Sequence, residues 1–154
     1  MAGWISTAPA AITALVATFR AAPGLGPDMV LDGPTVTDAS IFEVVTVGYQ
    51  DDERPIAVEA QTTREGPALV PNRERYSVYC AAAVLRGDTD IAAARARAYE
   101  LLAAAATALA ADKTLGGAVM SAQLGEHSLT QEMPDGALAR VPFEVLVDAF
   151  TRTS

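Results

Sequence analysis

The sequence holds little of the chemistry that most enzymes and metal sites require. Its 154 residues include one cysteine and one histidine. A single cysteine, Cys80, cannot form a disulfide within the chain, and nothing indicates an oxidising compartment. A typical zinc site needs three or four ligands, which one Cys and one His do not supply. We therefore expect neither a metal nor a cofactor.

Positive charge is also scarce. Lys and Arg number 11 against 19 Asp and Glu, which gives a net charge of −8. No five-residue stretch is rich in Lys or Arg, the residues that attract nucleic acid. The chain is therefore not expected to bind DNA tightly. An acidic protein can still surround DNA without gripping it.

Long uncharged apolar runs are missing as well. The N-terminus has no positively charged start before Arg20, so we expect no secretory signal. Residues 91–112 are rich in Ala and Leu but include Arg95, Arg97 and Glu100, which makes them a poor membrane span. We expect a soluble protein of reduced, intracellular origin with no membrane contact.

The amino-acid composition is typical of a chain that folds into a globular domain. Hydrophobic residues make up 51% of the chain and charged residues 19%. A chain of this length is one ordinary domain with a real core. We therefore expect residues 1–154 to form a single domain.

Two segments have helical periodicity. In residues 8–21, Ile12, Leu15, Val16 and Phe19 recur on one helical face. Residues 91–112 form a second, longer helix, because their apolar positions make one stripe that is rich in alanine. The stripe lacks the leucine heptads of a coiled coil and suits close packing against a sheet. Gly116 and Gly117 are expected to end this helix and turn the chain.

Five segments are predicted strands: 29–31, 40–50, 75–87, 117–133 with a bend at Gly125, and 137–151. In the last one, Val141, Phe143 and Val145 face one way, and Arg140, Glu144 and Asp148 face the other. The final two strands should form a hairpin. The fold class is α+β, an antiparallel sheet with the N-terminal and Ala-rich helices on one face, ending in that hairpin.

Residues 51–75 differ from the rest of the chain. Ten of these 25 residues are charged and three are proline. They predict a long loop or an extended hairpin arm, with a strand at 56–62, and long loops are often functional. We expect charged residues here to contact another subunit or partner: Asp51, Asp52, Glu53, Arg54, Arg64, Glu65, Arg73 and Arg75.

No catalytic constellation is visible. Cys80 lies in mid-strand and is best explained as a buried small apolar residue, and His127 as a strand histidine without a catalytic partner. The acidic run 51–53 lacks the pattern of a calcium loop. Neither Gly-x-Ser-x-Gly nor His-Glu-x-x-His occurs. We expect a protein that is not an enzyme.

The second half contains three stretches, RYSVYCAAAVLRGDTDIAAARARAYELL, ALAADKTLGGAV and ARVPFEVLVDAF. In this pattern the chain resembles the tail terminator (tail-completion) proteins of long-tailed bacteriophages, especially actinobacterial phages. The N-terminal helix and the strand at 44–48 fit the same layout. The matching positions are Gly87, Asp88, Arg95, Arg97, Leu115, Gly116, Gly117, Val141 and Phe143.

The resemblance implies a structural virion protein, assembled in the cytoplasm of a host bacterium. Such proteins form a ring, usually a hexamer, on the head-proximal end of the tail tube. The ring ends tube polymerisation and presents a surface to the head-completion or neck proteins, and DNA passes through its hole. The implied partners are further copies of the chain, the tail tube protein, a neck protein, and DNA as a passenger.

Physical features are compatible with that role. A ring needs heterologous interfaces that close, and an acidic lumen would let DNA slide. Asp51, Asp52 and Glu53 are candidates for that lumen. Two other functions stay open: another head–tail joint protein, such as a head-closure or connector component, and a small-molecule-binding α+β domain.

Overall fold

A computed structural model describes residues 4–34, 41–64 and 72–153 of the chain. These residues form two helices, α1 (Ala8–Arg20) and α2 (Ile91–Ala111), a 3-10 turn at Pro27–Met29, and nine strands. The strands are β1 (Trp4–Ile5), β2 (Val30–Asp32), β3 (Phe42–Val47), β4 (Val58–Thr63), β5 (Arg73–Leu85), β6 (Ser121–His127), β7 (Thr130–Glu132), β8 (Leu138–Phe150) and β9 (Arg152–Thr153).

Strands β5 and β8 form the centre of a seven-stranded sheet. They pair antiparallel over their whole length, from Arg73 opposite Phe150 to Leu85 opposite Leu138. Strands β6 and β7 follow one another along the far edge of β8. Strands β3 and β4 follow one another along the far edge of β5. The predicted α+β class is confirmed.

One pair departs from the predicted antiparallel sheet. Strand β2 runs parallel to β3, with Val30 opposite Val45. The composition of a three-residue strand carries no information about its direction, which the connection to its neighbour decides. The sheet is therefore mixed at this edge and antiparallel elsewhere.

Both helices pack on one face of the sheet, as predicted. Helix α1 contacts β2, β3 and α2, while α2 contacts β5, β6 and β8. The alanines of α2 allow this close approach, since Ala94, Ala98 and Ala105 are fully buried. Asp90 caps the start of α2 by accepting a hydrogen bond from the Ala93 amide at 3.0 Å.

The turn after α2 explains why the next strand begins later than predicted. The Asp112 carboxylate accepts a hydrogen bond from the Gly116 amide at 2.9 Å. Leu115, Gly116 and Gly117 all have positive φ, a conformation in which glycine costs little. The turn holds the chain out of the sheet, so β6 begins at Ser121 instead of residue 117.

The strand predicted over 117–133 is divided in two. The register shifts between Leu124 and His127, which confirms the predicted irregularity near Gly125. A Cβ atom at Gly125 would lie 2.7 Å from Glu144 Cγ, so the close approach requires glycine there. Both pieces still pair antiparallel with β8, which confirms the hairpin. The hairpin is not the end of the fold, because β9 follows it and pairs with β1.

Helix α1 is joined to the sheet through a buried carboxylate. Glu74 on β5 is 1% exposed, and its Oε1 atom accepts hydrogen bonds from the Thr7 amide (2.6 Å) and the Thr7 hydroxyl (2.5 Å). The Thr7 hydroxyl also lies 2.9 Å from the Tyr76 hydroxyl. Since Thr7 is the N-cap of α1, this cluster fixes where the helix begins on the sheet.

Candidate interaction surface

The sheet has one face under the helices and a second face, which we call the open face, on which residues 4–34, 41–64 and 72–153 place no helix. Even-numbered residues of β5 and odd-numbered residues of β8 point to the helices, as the burial of Val78, Cys80, Phe143 and Val145 shows. The open face carries the odd-numbered residues of β5 and the even-numbered residues of β8. Its two ends differ in what covers them.

A loop that we call the strap, residues Tyr49–Ala57, connects β3 to β4. It leaves and rejoins the sheet at a single residue of β5: the Tyr49 amide donates to the Tyr79 carbonyl at 2.7 Å, and the Tyr79 amide donates to the Ala57 carbonyl at 2.9 Å. Between these points Arg54 Nη2 donates to Ser128 Oγ at 3.3 Å. Ser128 lies beyond β8, so Arg54 spans the open face.

Asp51 organises the turn of the strap. Its carboxylate accepts hydrogen bonds from the Glu53 amide (2.9 Å), the Arg54 amide (2.6 Å) and the Tyr49 hydroxyl (2.7 Å). Burial opposes ionisation, but these hydrogen bonds and the charge of Arg140 hold the pKa of Asp51 below its usual value. Burial and the bond to Asp51 raise the pKa of Tyr49 to about 12. The carboxylate is therefore part of the strap's own structure.

The half of the open face near the strap, which we call the covered half, runs over Tyr79–Leu85 and Leu138–Glu144. At its centre the side chains are small and buried, although the described residues place no helix on this side. Ala81 is 2% exposed and Thr46, on the adjacent strand, is 3% exposed. Small side chains leave room for the strap against the sheet.

The other half, which we call the bare half, comprises Arg73–Ser77 and Leu146–Phe150, flanked by β4 and the start of β6. Leu146 is 37% exposed and Phe150 is 40% exposed. The centre of this half is a shallow depression in which β4, β5, β6 and β8 all take part. Its lining includes Glu59, Gln61, Arg75, Ser77, Ser121, Gln123, Leu146 and Asp148.

An ion pair divides the two exposed apolar side chains. Arg73 Nε donates to Asp148 Oδ1 at 2.9 Å and Arg73 Nη2 to Oδ2 at 2.5 Å, while Arg75 Nε lies 3.9 Å from Oδ2. The hydrogen bonds from Arg73 lower the pKa of Asp148, desolvation opposes the shift, and the charge of Arg75 adds to it. The bare half thus combines fixed charges with apolar area.

The residues predicted to contact partners fall into separate places. Asp51, Asp52, Glu53 and Arg54 lie in the strap, and Arg73 and Arg75 lie on the bare half. Arg64 follows the end of β4, and Glu65 lies outside the described residues. Residues 58–63 form a strand, close to the expected 56–62, that pairs with β5. A contact role for these residues stays a prediction.

The motif positions behind the resemblance serve the fold. Arg97 pairs with Glu43 at 3.1 Å and with Glu100 at 2.9 Å. Arg95 Nη1 donates to the Gln131 side chain at 2.8 Å. Others lie in the turn after α2, in the loop before α2 and in the core: Leu115, Gly116 and Gly117; Gly87 and Asp88; Val141 and Phe143.

Cys80 and His127, the two residues considered for catalysis, both pack against other parts of the fold. Cys80 is fully buried, and burial raises the pKa of its thiol to about 12, which disfavours the reactive thiolate. The His127 ring lies edge-on to Tyr99 at 5.6 Å. Across residues 4–34, 41–64 and 72–153, no group of three His, Cys, Asp or Glu is placed to hold a metal. In the same ranges no helix is long and apolar enough to cross a membrane.

Leu146 and Phe150 were not among the contact residues predicted from the sequence. Both fall on the face of β8 predicted to carry Arg140, Glu144 and Asp148, so two large apolar residues share a face with polar ones. This mixture of apolar and charged residues on one face of β8 is the sequence signal that could have identified the patch. A patch of this kind is typical of contact surfaces.

Comparisons with known proteins give a fold likeness and no family. No protein-family model matches the chain, and no curated protein matches it. Among solved structures, the chain is similar to a chain described as "Virion of native gene transfer agent (GTA) particle". The match has a TM-score of 0.66 and 12% sequence identity, and it covers 94% of this chain and 98% of the other. The two chains therefore share a fold from end to end.

Proposed function

We propose that this chain is a structural protein of a phage-like virion, and within it the tail terminator. In that role it forms a ring, most simply a hexamer, on the head-proximal end of the tail tube. The ring ends tube polymerisation and joins the tube to a neck or head-completion protein. The observation that carries the proposal is the end-to-end fold likeness to a chain of a gene transfer agent particle.

The bare half supports an assembly role. Leu146 and Phe150 expose apolar area around a fixed Arg73–Asp148 pair. Apolar area with charges at set positions provides affinity and register together. We assign this half to contact with a neighbouring virion protein, either another subunit of the ring or the tail tube.

The strap supports a role in the lumen. Asp52 and Glu53 are exposed in it, and the chain as a whole carries a net charge of −8. Negative side chains repel the DNA backbone, so DNA can pass without binding. Asp51 is less suited to this task, because its carboxylate is occupied by the turn of the strap.

The direct test combines the purified chain with tail-tube subunits and examines the product by negative-stain microscopy and native mass spectrometry. The expected product is a six-fold ring, or a cap on one end of shortened tubes. Tubes that grow to unchanged length and carry no cap would contradict the terminator role. Binding to a portal-side protein instead would favour the second candidate, a head-closure protein.

A double variant tests the surface. Leu146→Glu with Phe150→Glu should abolish capping without loss of folding, because both side chains already face water. Met133→Glu is the matched control, since Met133 is 50% exposed but lies in the turn after β7. Equal loss of capping in both proteins would remove the bare half from the proposal.

The lumen assignment has its own test. Replacing Asp52 and Glu53 with Lys reverses two exposed charges and should produce salt-dependent DNA retention by the assembled ring. Glu100→Lys with Asp135→Lys, on a helix and a turn away from the strap, is the control with the same charge change. A strap variant that retains no more DNA than this control would exclude Asp52 and Glu53 from the lumen.

A further inference from the structure

The described part of the chain gives the sheet four outer strands, and three of them are protected or short. The Val30 carbonyl on β2 accepts a hydrogen bond from Arg20 Nη2 at 3.0 Å. The Ala122 amide on β6 donates to the Lys113 carbonyl at 2.7 Å, and the register of β6 shifts after Leu124. Strand β7 has three residues. Bound groups, bulges and short length are the usual means of preventing unwanted strand pairing.

Among the residues that the structure describes, none protects strand β4 in these ways. Its six residues pair with β5 without a register shift, from Val58 opposite Val78 to Thr63 opposite Arg73. Residues 59–63 are all exposed. The strand contains no proline and no lysine, the residues that commonly block an edge.

The hydrogen-bond phase shows which groups are free to pair. The Tyr79 amide donates to the Ala57 carbonyl, and this bond belongs to the same antiparallel register as β4 and β5. Odd-numbered residues of β4 therefore bond to β5, and the amides and carbonyls of Val58, Ala60 and Thr62 point outward. In the described residues no hydrogen bond reaches these outward groups.

We propose that the β4 edge pairs antiparallel with the β4 edge of a second copy of this chain, centred on Ala60. The sequence of β4 is complementary to itself in this register. Ala60 faces its own copy and Val58 faces Thr62, so small and apolar groups meet on the helix side. Glu59 faces the amide of Gln61 on the other side, and no like charges are opposed. About six backbone hydrogen bonds join the strands.

The charge of Glu59 favours this register over the one whose centre is shifted by a single residue. A shift that places Glu59 opposite Glu59 of the second copy sets two carboxylates against each other, which is unfavourable. The resulting dimer has two-fold symmetry, whereas a ring needs a heterologous contact. The pairing therefore describes the isolated chain, and it does not depend on the ring.

Disulfide trapping tests the register. In the two-fold pair the Cα atoms of residue 60 lie about 5.5 Å apart, inside the range that a disulfide spans. Ala60→Cys should form a covalent dimer on mild oxidation. Thr62→Cys is the control on the same edge, because its two copies are offset by roughly 13 Å. Cys80 does not interfere, since it is fully buried.

Native mass spectrometry tests the dimer itself. The wild type should have the mass of two 16.0 kDa chains. Ala60→Lys should shift the population to monomer by at least tenfold, because it sets two ammonium groups against each other. Ala103→Lys makes the same change at an exposed position of α2 and should leave the dimer unchanged.

Three results would overturn the proposal. They are a wild-type monomer at the highest soluble concentration, a dimer that survives Ala60→Lys, and cross-linking of Thr62→Cys as efficient as that of Ala60→Cys. None of them bears on the terminator role, which is tested with tube subunits present.

Discussion

Ser77 and Ala81 lie four residues apart on the same face of β5, yet their surroundings differ. Ala81 is 2% exposed in the covered half, whereas Ser77 lines the depression of the bare half. On β8, Pro142 is buried and Leu146 is 37% exposed. The two halves share strands, direction and alternation. What separates them is the strap, which folds back over one half alone.

The comparison shows that alternation decides which residues share a face but not whether that face is covered. The centre of the covered half carries the small buried side chains of Ala81 and Ala83, and the strap supplies the missing layer. The bare half carries larger apolar side chains and a fixed ion pair, and its stability has to come from the helix side of the sheet. Exposed apolar area that the fold leaves uncovered is the better candidate for partner contact.

The largest expected effect concerns the support beneath the bare half. Thr7→Val removes the hydroxyl that donates to buried Glu74 and keeps the side-chain shape. Removing one partner of a buried polar group costs about 1–3 kcal/mol of unfolding free energy. Urea denaturation should show this loss. Thr13→Val, on the exposed side of α1, should change stability by less than about 0.5 kcal/mol.

That control separates the buried cluster from helix propensity, since both changes put valine into or next to α1. Equal destabilisation by the two substitutions would mean that Glu74 contributes nothing specific. A larger loss for Thr7→Val would show that the bare half is held from the helix side.

The next effect compares the halves directly. Ala81→Leu should destabilise the protein by about 1–3 kcal/mol, because the larger side chain has no room beneath the strap. Ser77→Leu makes the same kind of change on the same strand and face, but at a half-buried position in the depression of the bare half. Its effect should stay within about 0.5 kcal/mol. Thermal or urea denaturation of the two variants measures the difference.

Equal stability of the two variants would mean that the strap does not restrict the covered half. If Ala81→Leu instead leaves stability unchanged but increases proteolysis between residues 49 and 57, the strap has been displaced at little cost. Either result would weaken the distinction between the halves.

The main elements were predictable from the sequence because their patterns are long and regular. The 21 residues of α2 and the 13 residues of β8 lie within one residue of the predicted ends. Strong periodicity over many residues leaves little freedom in the assignment. The side of β8 that carries Phe143 was also predicted correctly, since it follows from alternation alone.

What the sequence did not predict depends on distant contacts. The parallel direction of β2, the pairing of β9 with β1 and the path of Arg54 to Ser128 each join residues far apart in the chain. The predicted contact residues were chosen as one charged stretch. The structure divides them between the strap and the bare half, because β4 returns the chain to the sheet within that stretch.

A smaller effect concerns what holds the strap in place. Arg54→Ala removes the side chain that reaches Ser128 and should cost about 0.5–1.5 kcal/mol locally. Hydrogen exchange should speed up at the backbone amides of residues 53 and 54, which donate hydrogen bonds to Asp51 in the wild-type protein. Arg75→Ala removes the same charge from the bare half and should leave these amides protected. Faster exchange in both variants would mean that charge, not the Ser128 contact, controls the strap.

The smallest effect uses one carboxylate from the strap and one from the bare half. The pKa values of Asp51 and Asp148 are both lowered, so each group stabilises the fold above its unfolded pKa of about 3.9. That contribution is lost as the pH falls through the lower folded-state pKa. Asp148 pairs with Arg73 while partly exposed, so Asp148→Asn should cost only about 0.2–1 kcal/mol at neutral pH.

Urea denaturation of Asp148→Asn, Asp51→Asn and the wild type at neutral and acid pH tests this pair. Both variants should approach the wild type as the pH falls, because protonation removes the same interactions from the wild type. Asp51→Asn should differ in one further respect: it removes the acceptor that orders the strap, so exchange at the Glu53 and Arg54 amides should rise at neutral pH. Asp148→Asn should leave those amides unchanged, since the bare half has no strap to lose. A gap between variant and wild type that stays constant with pH would show that the carboxylate charge is not the cause.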